Sequence, residues 1–153
     1  MGKLTETKHA DDATKLLTFY QNEAKKLEPS GSYFMAAVAL GAALETALIV
    51  FMLVEWDEAE GSETELPDRV LLDELIGAAK EFDLLGAIKF QEAGREGARP
   101  VEEVIHEVQR MRNNLHPGKA LRTRFDPAAF DATRYKRLRE IYAAAIENLL
   151  YHI

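Results

Sequence analysis

Two side chains in the second half of the chain could act together on a phosphate group. Arg112 and His116 lie in one short segment, immediately before Pro117-Gly118. A planar guanidinium binds phosphate oxygens in pairs. An imidazole titrates near neutral pH and can therefore accept or donate a proton. Together the two residues could bind a phosphate and polarise it.

The periodicity of residues 101–116 predicts that one amphipathic helix carries both side chains. At about 100° per residue, Arg112 falls inside the apolar face, and His116 falls on its flank one turn later. Arg110 falls on the opposite side, towards solvent. We therefore expect Arg112 and His116 to point in the same direction beside the core, just before Pro117 ends the helix. The predicted apolar face consists of Val101, Val104, Ile105, Val108, Met111 and Leu115.

A structural role for Arg112 competes with this chemistry. Glu45 is the single charged residue in the apolar run of residues 33–54, and a buried arginine is costly unless it is paired. Arg112 would then form a structural ion pair with Glu45, and His116 would cap carbonyl groups at the helix end. If that pair is buried, Arg112→Ala should cost roughly 3–5 kcal/mol. The sequence leaves both roles open.

The rest of the chain predicts an all-α fold. Ala, Leu, Glu, Lys and Arg dominate between a few Gly and Pro breakpoints, and strand signals are nearly absent. Residues 1–10 are predicted to be a flexible tail and residues 11–153 a single helical domain, with an acidic loop at 55–68 and a turn-rich connection at 92–100. The predicted helices begin after Asp11 or Asp12, near Ser32, at Asp68, at Val101, and after Asp126 or at Asp131.

The apolar run of residues 33–54 is long enough to span a bilayer. Glu45 at its centre would cost roughly 2.5–3.5 kcal/mol there. A helix that is apolar all round is also typical of the centre of a bundle. We therefore expect a buried bundle helix and no membrane partner.

Charge is unevenly distributed along these 153 residues, which have a net charge of −7 and no cysteine. The balance argues against bulk binding of nucleic acid, and the absence of Cys excludes disulfides and thiol chemistry. Residues 110–139 nevertheless hold nine bases and two acids. Lys119, Arg122 and Arg124 are candidates for RNA or phosphate binding. The bases of residues 134–139 either border an RNA path or form a solvated helix face.

Metal and cofactor sites are not expected. Glu103 and His106 have the spacing of carboxylate-bridged metal sites, but the helical wheel turns both towards solvent. No secretory signal begins the chain. We predict a cytoplasmic protein without a cofactor.

Residues 107–118, which read EVQRMRNNLHPG, resemble the Arg-Asn…His-Pro signature of HEPN-domain proteins. The segments GAALE (residues 41–45) and LIGAAKEFDLL (residues 75–85) fit the same kind of small helical protein. The resemblance implies an antiparallel bundle of four to five helices. It also implies a homodimer in which the Arg/His faces are opposed.

The resemblance further implies a metal-independent endoribonuclease with a composite site at the dimer interface. His116 would then transfer the proton of the 2′-hydroxyl or the leaving group, Arg112 would stabilise charge on the phosphorane, and Asn113 would assist orientation. The spacing from Arg112 to His116 is shorter than in the ribonuclease pattern, and counting from Arg110 places Met111 where a polar residue is usual. The alternative is a non-catalytic HEPN-like module of a defence or toxin–antitoxin-like system that binds RNA, a nucleotide or a protein partner.

Overall fold

Helices make up most of the chain that the structure describes. The structure is a computed structural model, and it describes residues 7–60, 89–91 and 97–151. The predicted all-α class is confirmed, apart from one short hairpin and two single 3-10 turns (Glu28–Ser30 and Pro127–Ala129). The elements are α1 (Thr7–Leu27), α2 (Tyr33–Glu60), β1 (Lys89–Gln91), β2 (Ala98–Pro100), α3 (Val101–Asn113), α4 (Pro117–Arg122) and α5 (Ala132–Tyr151).

The first two helices are longer than the sequence predicted. Helix α1 begins at Thr7, so it includes residues 7–10 of the predicted N-terminal tail. Helix α2 continues to Glu60, so the first six residues of the predicted acidic loop are helical as well. No Gly or Pro interrupts the chain between Gly41 and Gly61, so nothing local ends the helix earlier. The predicted helix from Asp68 and the rest of the acidic loop lie outside the described residues.

Helix α2 is the centre of the bundle. It packs against α1, α3 and α5. Its segment Tyr33–Phe51 is long and apolar enough to cross a membrane, yet 56% of that window is buried inside the protein. A helix surrounded by three partners needs apolar residues on all sides. Its buried apolar side chains are Ala36, Ala37, Leu40, Ala43, Leu44, Ala47, Leu48 and Phe51.

A glycine allows α3 to approach α2 closely. A Cβ atom on Gly41 would lie 3.1 Å from Val108 Cγ1 and 3.3 Å from Met111 Cε, which is closer than most such contacts. Glu45 follows Gly41 by one helical turn, and Arg112 follows Val108 by one turn. The close approach therefore carries Arg112 towards Glu45.

The segment before α3 contains a β-hairpin that the sequence did not predict. Strands β1 and β2 pair antiparallel, with Phe90 opposite Arg99. The prediction that residues 92–100 form only a turn-rich connection is wrong for residues 98–100. Strands of three residues are too short to show a period-2 pattern. The hairpin places Arg99 directly before the first turn of α3.

Of the two predicted starts of the last helix, Asp131 is the one that begins it, and Asp126 begins a separate 3-10 turn. Asp126 caps the 3-10 turn Pro127–Ala129, where its Oδ1 accepts a hydrogen bond from the Ala128 backbone N–H at 3.0 Å. Asp131 caps α5, where its Oδ1 accepts from the Arg134 backbone N–H at 2.9 Å. Asp131 therefore determines where α5 begins, and it places Arg134 in the first turn of that helix.

Candidate functional site

Helix α3 ends at Asn113, three residues before the predicted position. Pro117 disfavours helical backbone angles at the residue before it, and His116 is extended, with φ −88° and ψ 114°. Pro117 instead begins α4, where a first-turn proline is well tolerated. His116 therefore does not lie one turn beyond Arg112 on the same helix. Helix geometry no longer requires the side chains of Arg112 and His116 to point in the same direction, as the sequence predicted. Leu115, predicted to be in the apolar face, is exposed for the same reason.

The other predicted apolar positions of α3 are buried. Arg112 lies at the edge of this face, and its Nη1 donates a hydrogen bond to Glu45 Oε2 at 2.6 Å. The Arg112 side chain is 44% exposed and that of Glu45 is 18% exposed. Burial raises the pKa of Glu45 above its ordinary value of 4.5, although the charge and hydrogen bond of Arg112 oppose the shift. The buried apolar residues are Val101, Val104, Ile105, Val108 and Met111.

Replacing Arg112 with alanine is expected to lower the free energy of unfolding by about 1–2 kcal/mol. This is less than the cost of breaking a fully buried pair, because removing the half-exposed guanidinium opens Glu45 to water. Urea unfolding at pH 7 measures the change. A loss of 3 kcal/mol or more would show that the pair behaves as a fully buried one.

The raised pKa of Glu45 predicts a pH dependence of stability. A carboxyl whose pKa is higher in the folded state stabilises the fold below its ordinary value, and this contribution is lost as the pH rises through the raised value. Wild type should therefore gain stability relative to Glu45→Gln as the pH falls from 7 towards 4.5. Paired urea titrations across that range measure the difference. A difference that stays constant or shrinks would contradict the prediction.

The predicted catalytic residues lie in different surroundings. Arg112 is held by Glu45, whereas Asn113 is exposed at the last position of α3 and His116 is exposed in the turn that follows. The backbone N–H of His116 donates to the Asn113 carbonyl at 3.1 Å. The structure therefore brings Arg112 and Glu45 together and leaves the imidazole of His116 open to solvent.

The predicted phosphate-binding residues are all exposed at the same end of the bundle. We call residues 110–124 the basic corner; its sequence carries no acid. Local electrostatic attraction for an anion therefore meets no competing carboxylate within this segment. Its exposed bases are Arg110, Arg112, Lys119, Arg122 and Arg124.

Arg124, which follows the C-terminal end of α4, has an unusual backbone conformation. Its φ is 55°, in the left-handed region where glycine is the usual residue. The Phe125 N–H donates to the Ala120 carbonyl at 2.9 Å and the Arg124 N–H to the Leu121 carbonyl at 3.3 Å, which is the Schellman pattern. A non-glycine residue costs about 1–2 kcal/mol in this conformation. At position 124, glycine would therefore cause less backbone strain than the arginine that is present.

A cleft of about 400 Å³ borders the basic corner. We call it the arginine cleft, because Arg99 of β2, Arg110 of α3, and Arg134 and Arg137 of α5 line it. Glu107 is the one carboxylate among its described lining residues. Neither Arg112 nor His116 lines it. Cations from three elements therefore converge on this cleft.

The sequence does not predict this cleft. The helical wheel places Arg110 towards solvent, which agrees with the exposure of Arg110, but the wheel does not show that α5 borders the same space. Arg134 and Arg137 are three residues apart and share a helix face. That spacing was the available signal, but only the packing of α3 beside α5 gives it a partner.

Arg99 is the buried member of the cleft. Its side chain is 5% exposed, and its Nε donates to Glu103 Oε1 at 3.2 Å. Its Nη2 also forms an ion pair with Glu107. Tyr142 lies beside this group, and its burial, together with the charge of Glu107, raises the pKa of the phenol well above its ordinary value. Tyr142 therefore stays protonated near neutral pH and can donate a hydrogen bond.

A second cavity, of about 560 Å³, lies between α1 and α5. Its charged groups are mutually compensated. Glu28 Oε1 accepts from the Tyr135 hydroxyl at 2.6 Å and from Arg139 Nη1 at 3.2 Å. The hydrogen bond from Tyr135 lowers the pKa of Glu28 despite its partial burial. This balance distinguishes the second cavity from the arginine cleft.

The described residues contain no group of three or more His, Asp or Glu side chains that could hold a metal ion. The side chains of Glu103 and His106, predicted to face solvent, are 43% and 32% exposed. Glu103 binds Arg99, and His106 Nε2 lies 3.7 Å from Glu102 Oε1. The Glu-x-x-His spacing therefore serves contacts within α3 and with β2.

Comparison with known proteins gives no family to which the chain can be assigned. No family model, no curated protein and no solved structure matches it.

Proposed function

We propose that this protein is an RNA-directed binding domain whose basic corner holds the phosphate backbone of a single strand. The observation that carries the proposal is the set of five exposed bases in a segment without an acid. Cations that contact phosphates supply most of the sequence-independent affinity for nucleic acid. The resemblance of residues 107–118 to HEPN-domain proteins supports the same assignment.

The net charge of −7 does not oppose such local binding. At physiological ionic strength the Debye length is about 8 Å, so exposed carboxylates farther away contribute little to the potential at the corner. Short-range contacts therefore decide the binding. Affinity should fall as salt rises, because the bound phosphates release their counterions.

Binding is favoured over cleavage by the geometry of Arg112. Its guanidinium already donates to a carboxylate at 2.6 Å. A scissile phosphate would have to displace Glu45 before Arg112 could stabilise its charge. His116 lies beyond the end of α3, so the two groups have no shared rigid support.

The experiment measures the fluorescence anisotropy of a labelled single-stranded RNA with a 5′-hydroxyl end, from 50 to 300 mM KCl. Four phosphate contacts predict that the logarithm of the affinity falls against the logarithm of the salt concentration with a slope of about −3. Absence of binding at 50 mM KCl, or a slope near zero, would overturn the proposal.

A composite endoribonuclease is the second candidate function, with a homodimer as its active form. Leu121 is 80% exposed and Leu115 is 44% exposed, and both lie within five residues of His116 in the sequence. Exposed leucines beside a polar site suit contact with a second copy of the chain. Such a contact would supply the second His116 that the single chain lacks.

The cleavage candidate is tested with purified protein and RNA in EDTA. Wild type should cut the strand, and His116→Ala should lose at least 100-fold in rate while retaining RNA affinity. Equal products from both proteins would end the enzymatic version. The molar mass in solution, measured by light scattering, checks whether the chain is a dimer.

A substitution at Arg124, whose φ is positive, should change RNA affinity and stability in opposite directions. Arg124→Gly is expected to raise the free energy of unfolding by about 1 kcal/mol, because glycine tolerates a positive φ. The same change should weaken RNA binding, because it removes one cation of the corner. Thermal unfolding and anisotropy titrations measure the two effects. A less stable variant, or one with unchanged RNA affinity, would argue against this role of Arg124.

A further inference from the structure

The charge of the arginine cleft is not explained by the stability of its helices. Arg134 lies in the first turn of α5, where the helix dipole disfavours a cation. Arg110 of α3 lines the same cleft. Guanidinium groups that converge in this way repel one another, and Glu107 already binds Arg99. An anion in the cleft would relieve both unfavourable interactions.

The charge in the cleft suits a phosphomonoester better than a phosphodiester. A phosphomonoester carries about −1.5 to −2 charges at pH 7 and offers three terminal oxygens. The forks of Arg110 and Arg134 can each bind two such oxygens. An internal phosphate of an RNA strand has a single charge and two terminal oxygens, so it would satisfy fewer of the N–H donors of Arg110 and Arg134.

Aromatic rings line part of the cleft, and we call Phe34, Phe125 and Phe130 its aromatic wall. Phe34 and Phe125 are half-buried, whereas Phe130 is 5% exposed. The ring of Phe34 lies 4.9 Å from that of Phe125 and 6.0 Å from that of Phe130, measured between centroids. The guanidinium of Arg134 lies over the Phe130 ring at 4.9 Å. Aromatic and guanidinium planes are the surfaces on which nucleobases stack. The cleft thus combines a place for a phosphate with a place for a base.

The size of the cleft limits what it can hold. Its volume of about 400 Å³ is at the lower end of the roughly 300–1,000 Å³ typical of small-molecule sites. Its edge residues Arg110 and Phe125 lie at or next to the ends of the basic corner. A strand held on the corner could therefore place its terminal nucleotide in the cleft.

We propose that the arginine cleft binds one nucleotide unit through its phosphomonoester, with the base on the exposed part of the aromatic wall, formed by Phe34 and Phe125. The inference rests on the proposed RNA-directed function. The same chemistry is offered by a free mononucleotide and by the 5′-phosphorylated end of an RNA strand. Arg110 and Arg134 are the residues that carry the specificity for the terminal phosphate.

The first experiment is isothermal titration calorimetry of the full chain with 5′-AMP, adenosine and inorganic phosphate. AMP should bind at least tenfold more tightly than either of the others, because only AMP contacts both the arginines and the aromatic wall. Arg134→Gln should lose at least tenfold in affinity for AMP, and Arg110→Gln should behave likewise. The matched control is Lys136→Gln, which removes the same charge from an exposed position of α5 outside the cleft.

The second experiment distinguishes the two sources of the phosphate. RNA with a 5′-phosphate is compared with the same RNA ending in a 5′-hydroxyl, using wild type and Arg134→Gln. A preference of about tenfold for the phosphorylated strand, lost in Arg134→Gln, assigns the site to RNA ends. Tight AMP binding without this preference assigns it to free nucleotides.

Two results would overturn the inference. One is the absence of AMP binding and of any 5′-phosphate preference while the salt-dependent binding of RNA persists, which leaves the proposed function standing. The other is an equal loss of AMP affinity in Lys136→Gln and Arg134→Gln. AMP binding without any RNA binding would refute the proposed function and keep the nucleotide site.

Discussion

The double variant Lys119→Glu/Arg122→Glu is expected to lose about 100-fold in affinity for single-stranded RNA at 100 mM salt. Both residues are exposed on α4 at the centre of the basic corner. Reversing one charge at about 4 Å from a phosphate changes the interaction by about 2 kcal/mol in water. Screening reduces the sum of the two changes to about 3 kcal/mol. Anisotropy titrations measure the loss directly.

The salt dependence of the same variant gives an independent measurement. Each phosphate contact on a single strand contributes about −0.7 to the slope of log affinity against log salt. Loss of two contacts should therefore make the slope less negative by about 1.4. An unchanged slope would mean that Lys119 and Arg122 do not touch phosphates, even if the affinity falls.

The matched control is Lys25→Glu/Lys26→Glu. It makes the same change in net charge, and it also places two acids in the last turn of a helix, where the dipole disfavours them. Lys25 and Lys26 are exposed on α1, outside the basic corner. The control should keep RNA affinity within about threefold. An equal loss in both variants would show that net charge, and not the corner, governs binding.

The largest effect on stability is expected from Arg99→Ala, with a loss of about 3 kcal/mol in the free energy of unfolding. Arg99 is nearly fully buried and connects β2 to Glu103 and Glu107 on the first two turns of α3. Its removal breaks both ion pairs and leaves an unfilled space beside Tyr142. Urea unfolding followed by circular dichroism measures the change.

Arg110→Ala is the control for Arg99→Ala. It removes another arginine of the same cleft, but from an exposed position. Exposed substitutions without special contacts usually change stability by less than about 0.5 kcal/mol. If Arg99→Ala also costs less than 1 kcal/mol, then the hairpin is not anchored to α3 through these ion pairs.

Much of the fold follows from rules that act within one helix. The spacing of apolar residues identifies the buried face of α3 from Val101 to Met111, because a helix places every third or fourth residue on one side. Asp126 marks the start of the 3-10 turn and Asp131 marks the start of α5, because each carboxylate accepts a hydrogen bond from a backbone N–H group of the first turn. Where prediction failed locally, at His116, the reason was also local, since Pro117 removes the preceding residue from the helix.

The pairing of Arg112 with Glu45 could be inferred from the sequence because burial makes an isolated charge expensive. Each was the lone charge in an apolar surface of its helix, so each was the obvious partner of the other. Their actual exposure could not be inferred, because it depends on how closely Gly41 lets α3 approach α2.

The arginine cleft was decided by tertiary structure alone. Arg110 and Arg134 are far apart in the sequence and belong to different helices. Helical periodicity says which residues share a face, but it does not say which face borders which neighbour. That choice depends on how the apolar sides of α2, α3 and α5 pack together. The sequence by itself therefore determined the helical class, the buried side of α3 and the start of α5, and packing determined which of the remaining charges meet.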